Sequence, residues 1–142
     1  MCDNKLNILL ADDEIHIRLI IKTYYEPYDV NIIEARDGQE AIDALKTNKI
    51  DLVILDYSMP IIQGQQVLDF MMSDEKLEKV PVIVYTAGGF EKHIENRLKA
   101  SATAFLEKSN IGDDLIPTTV EIVGRRLKIK NSGDDPDQSS DG

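Results

Sequence analysis

Three carboxylates, a hydroxyl and an ammonium carry the chemistry this sequence can offer: Asp12, Asp13, Asp56, Thr86 and Lys108. Asp56 closes the run Asp51-Leu52-Val53-Ile54-Leu55-Asp56, in which four apolar residues lie between two aspartates. Such a run reads as a strand buried on both faces of a parallel sheet. Ligands of open parallel sheets bind outside the carboxyl ends of the strands, so Asp56 leaves a central strand where chemistry is expected. Asp12-Asp13-Glu14 follows a second apolar run, residues 7–11. Three consecutive carboxylates repel one another unless something cationic joins them. Helix capping explains one or two of them, less easily all three. Thr86 ends the run 82–86, and Lys108 follows the run 102–106. Singly, each is a cap, a turn or a solvated end. Together at one sheet edge they are hard to dismiss.

Five strands must deliver these groups, and the pattern supplies them at residues 7–11, 30–35, 52–56, 82–86 and 102–106. Helices alternate with them. Ile17, Ile20, Ile21 and Tyr24 share one helical face, with His16, Arg18 and Lys22 elsewhere. Ala41, Ile42 and Leu45 mark a second helix after the Asp37-Gly38 turn. A third starts near Gly64, with Val67, Leu68, Met71 and Met72 as its apolar side and the Met pair as core filler. Phe90, Ile94 and Leu98 give a fourth a thin stripe among charges, so it is expected to be loosely held. The last runs over about 113–128, buried along Ile116, Val120, Val123 and Leu127, with Pro117 in or near its first turn. Alternating strands and helices imply an α/β fold, a parallel sheet with helices on both faces. No GxGxxG, Walker A loop or repeat is present.

With 142 residues, 42% hydrophobic and 30% charged, the chain suits one compact soluble domain. Its net charge of −10 argues against nonspecific binding to nucleic acid or an anionic membrane. Residues 131–142 hold four aspartates and no base, and the rest carries 22 acids against 16 bases. That Ser-, Gly-, Asp- and Pro-rich tail is expected to be a disordered end or linker, leaving residues 1–130 as the domain. The lone Cys2 forms no intrachain disulfide. No signal peptide or apolar run of membrane-spanning length is present, and the reading is cytoplasmic. His16 and His93 fall on different helices and read as solvated. The basic cluster Arg125, Arg126, Lys128 and Lys130 reads as complementing a helix C-terminus.

The Asp-Asp pair after the first strand, LVILDYSMP around Asp56, VIVYTA around Thr86 and AFLEK ending at Lys108 together resemble the receiver domain of two-component response regulators. The resemblance covers about residues 5–128. It implies a flavodoxin-like, doubly wound (βα)5 fold with strand order 2-1-3-4-5. It also implies that Asp56 accepts a phosphoryl group, that Asp12 and Asp13 hold a magnesium ion with Asp56 and the backbone carbonyl of Ser58, and that Thr86 bonds the phosphoryl group. Lys108 would pair with the phosphoryl oxygens, and Phe105 would change rotamer on activation. The chemistry suits these types. Mg²⁺ takes oxygen ligands, a carboxylate can attack phosphorus, and charge on three equatorial oxygens needs stabilising donors.

The family usually has a proline after the lysine, in a cis bond; here Ser109 stands there. A cis bond without proline costs about 2.5–4 kcal/mol, so either the bond is trans and the loop differs, or strain is retained. Ser58 and Gly88 occupy the positions that tune hydrolysis in the family. A haloacid-dehalogenase-like phosphatase would need an acid where Ser58 stands. A flavin module would need a Ser/Thr/Gly-rich phosphate loop where Asp12-Asp13-Glu14 stands. A receiver fold used only for binding would not need the complete acceptor set. The expected function is thus a phosphorylation switch, not an enzyme acting on a separate substrate. Its expected donor is a sensor histidine kinase or phosphotransfer protein. An output domain, a downstream protein and a homodimer are all left open.

Overall fold

The computed structural model describes residues 5–57, 64–86, 96 and 102–130. Five strands, β1 (Leu6–Ala11), β2 (Val30–Ala35), β3 (Leu52–Asp56), β4 (Val82–Thr86) and β5 (Ala104–Glu107), form one parallel sheet. Their order is β2-β1-β3-β4-β5. The α-helices bounded within the described residues are α1 (Ile15–Tyr25), α2 (Gly38–Thr47), α3 (Gly64–Met72) and α4 (Ile111–Val123). Ser58, Gly88, His93, Cys2, the helix predicted through Phe90, Ile94 and Leu98, and residues 131–142 lie outside the described residues.

Side chains alternate across a strand, and here each face meets helices. Leu9, Ala11, Val53, Leu55, Val82 and Val84 pack with Ala41 and Leu45 of α2 and Val67, Leu68 and Met71 of α3. Leu6, Ile8, Leu10, Leu52, Ile54, Ile83 and Tyr85 pack with Ile21 and Tyr25 of α1 and Ile111 and Leu115 of α4. Every residue of β3 and β4 is buried. Two covered faces are why these runs are continuously apolar rather than alternating.

The first helix sits differently from its apolar pattern. Its inner edge is Arg18, Ile21 and Tyr25, while Ile20 is 45% exposed. Arg18 turns inward because its guanidinium donates to the Asp12 carbonyl (2.7 Å) and to Glu34 (2.9 Å). Met72 is 57% exposed and fills no core; Met71 does. The fifth strand starts two residues later than expected, because Thr103 uses its hydroxyl to accept from the Val82 amide.

The last helix covers 111–123, not 113–128. Its buried stripe is Ile111, Leu115 and Thr119, and Val120 is 47% exposed. Pro117 is its seventh residue, in the second turn, where the amide it lacks would have bonded within the helix. The helix stops at Gly124, whose φ of +57° favours glycine, and a 3₁₀ turn follows at Gly124–Arg126. The chain then runs antiparallel beside Tyr28: the Asp29 amide donates to Lys128 and the Lys130 amide to Pro27. Arg126 does more than complement a helix end, since it donates to Asp51 Oδ1 at 2.6 Å. No peptide bond among the described residues is cis, so Lys108–Ser109 is trans and enters a 3₁₀ turn, Lys108–Asn110. No described helix is long and apolar enough to cross a membrane.

Candidate functional site

The parallel register brings the C-terminal ends of four strands level. Ala11 pairs with Leu55, Asp56 with Tyr85, and Thr86 with Glu107. Asp12 therefore leaves β1 beside Asp56, and Lys108 leaves β5 beside Thr86. One further ladder bond, from the Asp12 amide to the Ala35 carbonyl at 3.0 Å, holds Asp12 in line with the sheet. Ligand oxygens of Asp12, Asp13 and Asp56 lie within 4.8 Å of one another. Asp12 and Asp56 are buried and Asp13 is exposed, so the cluster opens to solvent on one side.

Lys108 reaches back over these acids. Its Nζ is 3.5 Å from Asp56 Oδ2, 3.7 Å from Glu14 Oε1 and 3.8 Å from Asp12 Oδ2. Among the described residues one ammonium faces four carboxylates, Asp12, Asp13, Glu14 and Asp56, a negative excess that suits a further cation. Helix capping accounts for little of it. Asp12 Oδ1 accepts from the Glu14 amide at 2.7 Å, while Glu14, the residue before α1, makes no side-chain cap bond.

Protonation follows from burial and neighbours. Burial pushes the Asp12 carboxyl above the usual aspartate range, against the opposing pull of Tyr85, the Glu14 amide and Lys108. Burial would lower Lys108, but Asp56 first, then Asp12 and Glu14, outweigh it and hold the ammonium more firmly charged. Burial also pushes the Tyr85 phenol far up, with Asp12 adding to the effect, so its hydroxyl stays a proton donor.

Thr86 is buried at the end of β4, two residues after Val84 and hence on the same face. Phe105 pairs with Val84 and packs, half-buried, against the same α2/α3-side core. Thr86 and Phe105 thus share one side of the sheet on adjacent strands. Every predicted site residue among those described comes to this edge; Ser58 lies outside them.

Two contributors were missed from sequence. Tyr85 donates its hydroxyl to Asp12 Oδ2, and Arg18 secures the Asp12 carbonyl. The signal for Tyr85 was a phenol at the end of an otherwise aliphatic buried run, since a buried tyrosine hydroxyl needs a partner. An arginine among isoleucines gave no comparable signal.

Residues 8–119 match the family model of the response regulator receiver domain. The chain belongs to that family. Its relatives include chemotaxis protein CheY-3 of Vibrio cholerae, 31% identical over 107 residues, 75% of this chain and 82% of that protein. The probable transcriptional regulator ycf29 of Porphyra purpurea is 29% identical over 92% of this chain. This receiver spans 65% of that regulator, and 29% of the regulatory protein LuxO of Vibrio cholerae, which is 27% identical. A crystal structure of the Thermotoga maritima response regulator TrrA in complex with Mg²⁺–BeF superposes with a TM-score of 0.72 at 29% identity. That match covers 83% of this chain and 99% of the other. The five-stranded order and the family match agree that this is the receiver domain of a two-component response regulator, with a flavodoxin-like fold.

Proposed function

We propose that Asp56 is the phosphoacceptor and that Asp12, Asp13 and Asp56 hold a Mg²⁺ ion. The observation that carries this reading is the placement of buried Asp56, with Lys108 Nζ at 3.5 Å and two more carboxylates within 4.8 Å. The donor set fits the ion. Mg²⁺ binds oxygen at about 2.0–2.1 Å and is usually held by one or two carboxylates plus waters and phosphate oxygens, and all three groups here are carboxylates close enough to converge. The backbone carbonyl of Ser58 is the expected additional ligand. When bound, the ion would offset the repulsion among the acids and the charge on a phosphoryl donor.

The chain's own groups supply the rest. Asp56 attacks phosphorus as a carboxylate and becomes an aspartyl phosphate as the donor's leaving group departs. Lys108, held charged, stabilises one equatorial oxygen, and the Thr86 hydroxyl donates to another. Drawing Thr86 inward vacates space on the face it shares with Phe105, which can then repack the β4–β5 surface. The receiver acts only in its own phosphorylation and dephosphorylation.

The donor is a histidine kinase or phosphotransfer protein. Ile15, Leu19 and Ile20 are large and exposed on α1, the helix that follows the acids in the chain, and offer that donor an apolar footing. The folded unit extends to Lys130, whose amide ties the chain to Pro27, and residues 131–142 form a tail or linker outside it. The output is a downstream protein or a further domain, and the setting is cytoplasmic.

Intact mass after incubation with acetyl phosphate tests the reading. Gain of one phosphoryl group that requires both Mg²⁺ and Asp56, and is absent from Asp56→Asn, is expected. No adduct at short times, with no Mg²⁺-dependent binding of beryllofluoride, would leave a receiver-shaped interaction module.

A further inference from the structure

Tyr85 is fully buried, yet it ends on the cation site. Its hydroxyl donates to Asp12 Oδ2, its ring centroid lies 5.7 Å from Lys108 Nζ, and it is the register partner of Asp56. The rest of β4 before it, Val82, Ile83 and Val84, is aliphatic, so packing alone asks for no hydroxyl here. A buried phenol must place its proton on an acceptor, and this one uses a carboxylate of the acid cluster.

The other contacts of Asp12 give that bond its meaning. Its Oδ1 accepts from the Glu14 amide at 2.7 Å, and its carbonyl accepts from Arg18 at 2.7 Å. With Tyr85 on Oδ2 and the Asp12 amide on the Ala35 carbonyl, both side-chain oxygens and the backbone of Asp12 are held from four elements: β2, the β1–α1 turn, α1 and β4. Its rotation about Cβ–Cγ is thereby fixed. The exposed Asp13 has no such frame given by β4. Meanwhile the Tyr85 ring and Asp12 together bracket the Lys108 ammonium, which lies 3.8 Å from the same Oδ2.

We propose that Tyr85 is a positioning residue of the metal site, fixing the Asp12 carboxylate and the Lys108 ammonium in the arrangement that the bound cation uses. The inference rests on the Mg²⁺ reading above. Partners that orient metal-binding groups commonly change affinity 10–100-fold when removed. Mg²⁺ is also the demanding case, because it tolerates little departure from octahedral geometry.

Tyr85→Phe removes the hydroxyl and keeps the ring. Titration calorimetry with Mg²⁺ alone is expected to show affinity falling about tenfold or more. It should show little further loss when the change is made in an Asp12→Asn background, because the two residues act as a unit. Affinity within twofold of wild type, tighter binding, or equal losses in both backgrounds would overturn the role. If Tyr85→Phe does not fold by circular dichroism, wild-type protein labelled at tyrosine Cζ supplies the reading by ¹³C NMR. Of five tyrosines, the resonance of Tyr85 should shift on Mg²⁺ addition, and a fixed resonance would refute the proposal. Failure of wild type to bind Mg²⁺ would sink the metal reading itself, whereas wild-type binding with an indifferent Tyr85→Phe sinks only this inference.

Discussion

The setting of Asp12 opposes its charge. Burial raises its carboxyl above the usual aspartate range despite donors on both oxygens. An acid whose folded value exceeds its unfolded value of about 3.9 binds its proton more tightly when folded. Its contribution to stability is present below the unfolded value and is lost as pH rises through the folded one. Metal-free protein should therefore lose this contribution above about pH 4, and Asp12→Asn should not. Urea melts of both proteins in chelator from pH 4 to 7 check it: the Asn variant's advantage should grow with pH. A difference that stays flat would mean that Lys108 and Tyr85 cancel the cost of burial. Glu34, lowered first by its bond from Lys22, slopes the other way, but it is common to both proteins and drops out of the comparison.

At the scale of elements, the start of α3 is seated against the end of β3 by one close approach. A Cβ at Gly64 would lie 2.7 Å from Tyr57 Cα and 3.1 Å from its carbonyl oxygen, to which the Gly64 amide donates at 3.0 Å. Backbone atoms cannot swing away as a side chain can. Gly64→Ala should push α3 off the end of β3, next to Asp56, and destabilise by about 1–3 kcal/mol in denaturant melts. Gly112→Ala is the control, because its Cβ would meet only the far end of Tyr24, at 3.0 Å. Equal behaviour of the two variants would refute the argument. The central strands β1, β3 and β4 were legible because burial on both faces leaves an unmistakable apolar run, and the acids of β1 and β3 stood out by ending those runs. The helix faces were less legible, because apolarity does not reveal which polar side chains can be buried. Arg18 goes inside on the Asp12 carbonyl and Glu34. Thr119 goes inside by bonding Tyr25 (2.6 Å) and the Leu115 carbonyl (2.8 Å). Those partners lie on other elements or a turn away, so rotating α1 and α4 correctly required the fold. Tyr85 was hidden for the same reason: its acceptor is 73 residues distant.

For the whole molecule, the sheet edge concentrates charge that folding alone would disperse. At an effective dielectric of about 20, unit charges 4.8 Å apart interact by about 3.5 kcal/mol. Among the described residues, Asp56 meets two carboxylates at up to that separation and the Lys108 ammonium at 3.5 Å, an attraction of about 5 kcal/mol on the same scale. Within this described group of charges the two repulsions outweigh the attraction. Solvent around exposed Asp13 and partly exposed Lys108 shrinks all these terms, leaving a net strain on the order of 1 kcal/mol. Function retains what stability would remove. In metal-free buffer Asp56→Asn should therefore melt higher than wild type, by about 3–5 °C for a domain of this size. Saturating Mg²⁺ should raise wild type through binding to the folded state alone and raise the Asn variant less, so that the gap narrows or reverses. Paired thermal melts with chelator and with Mg²⁺ decide it. An Asn variant that melts below wild type without metal would show that Lys108 already neutralises the edge, and that the acids need no further cation to coexist.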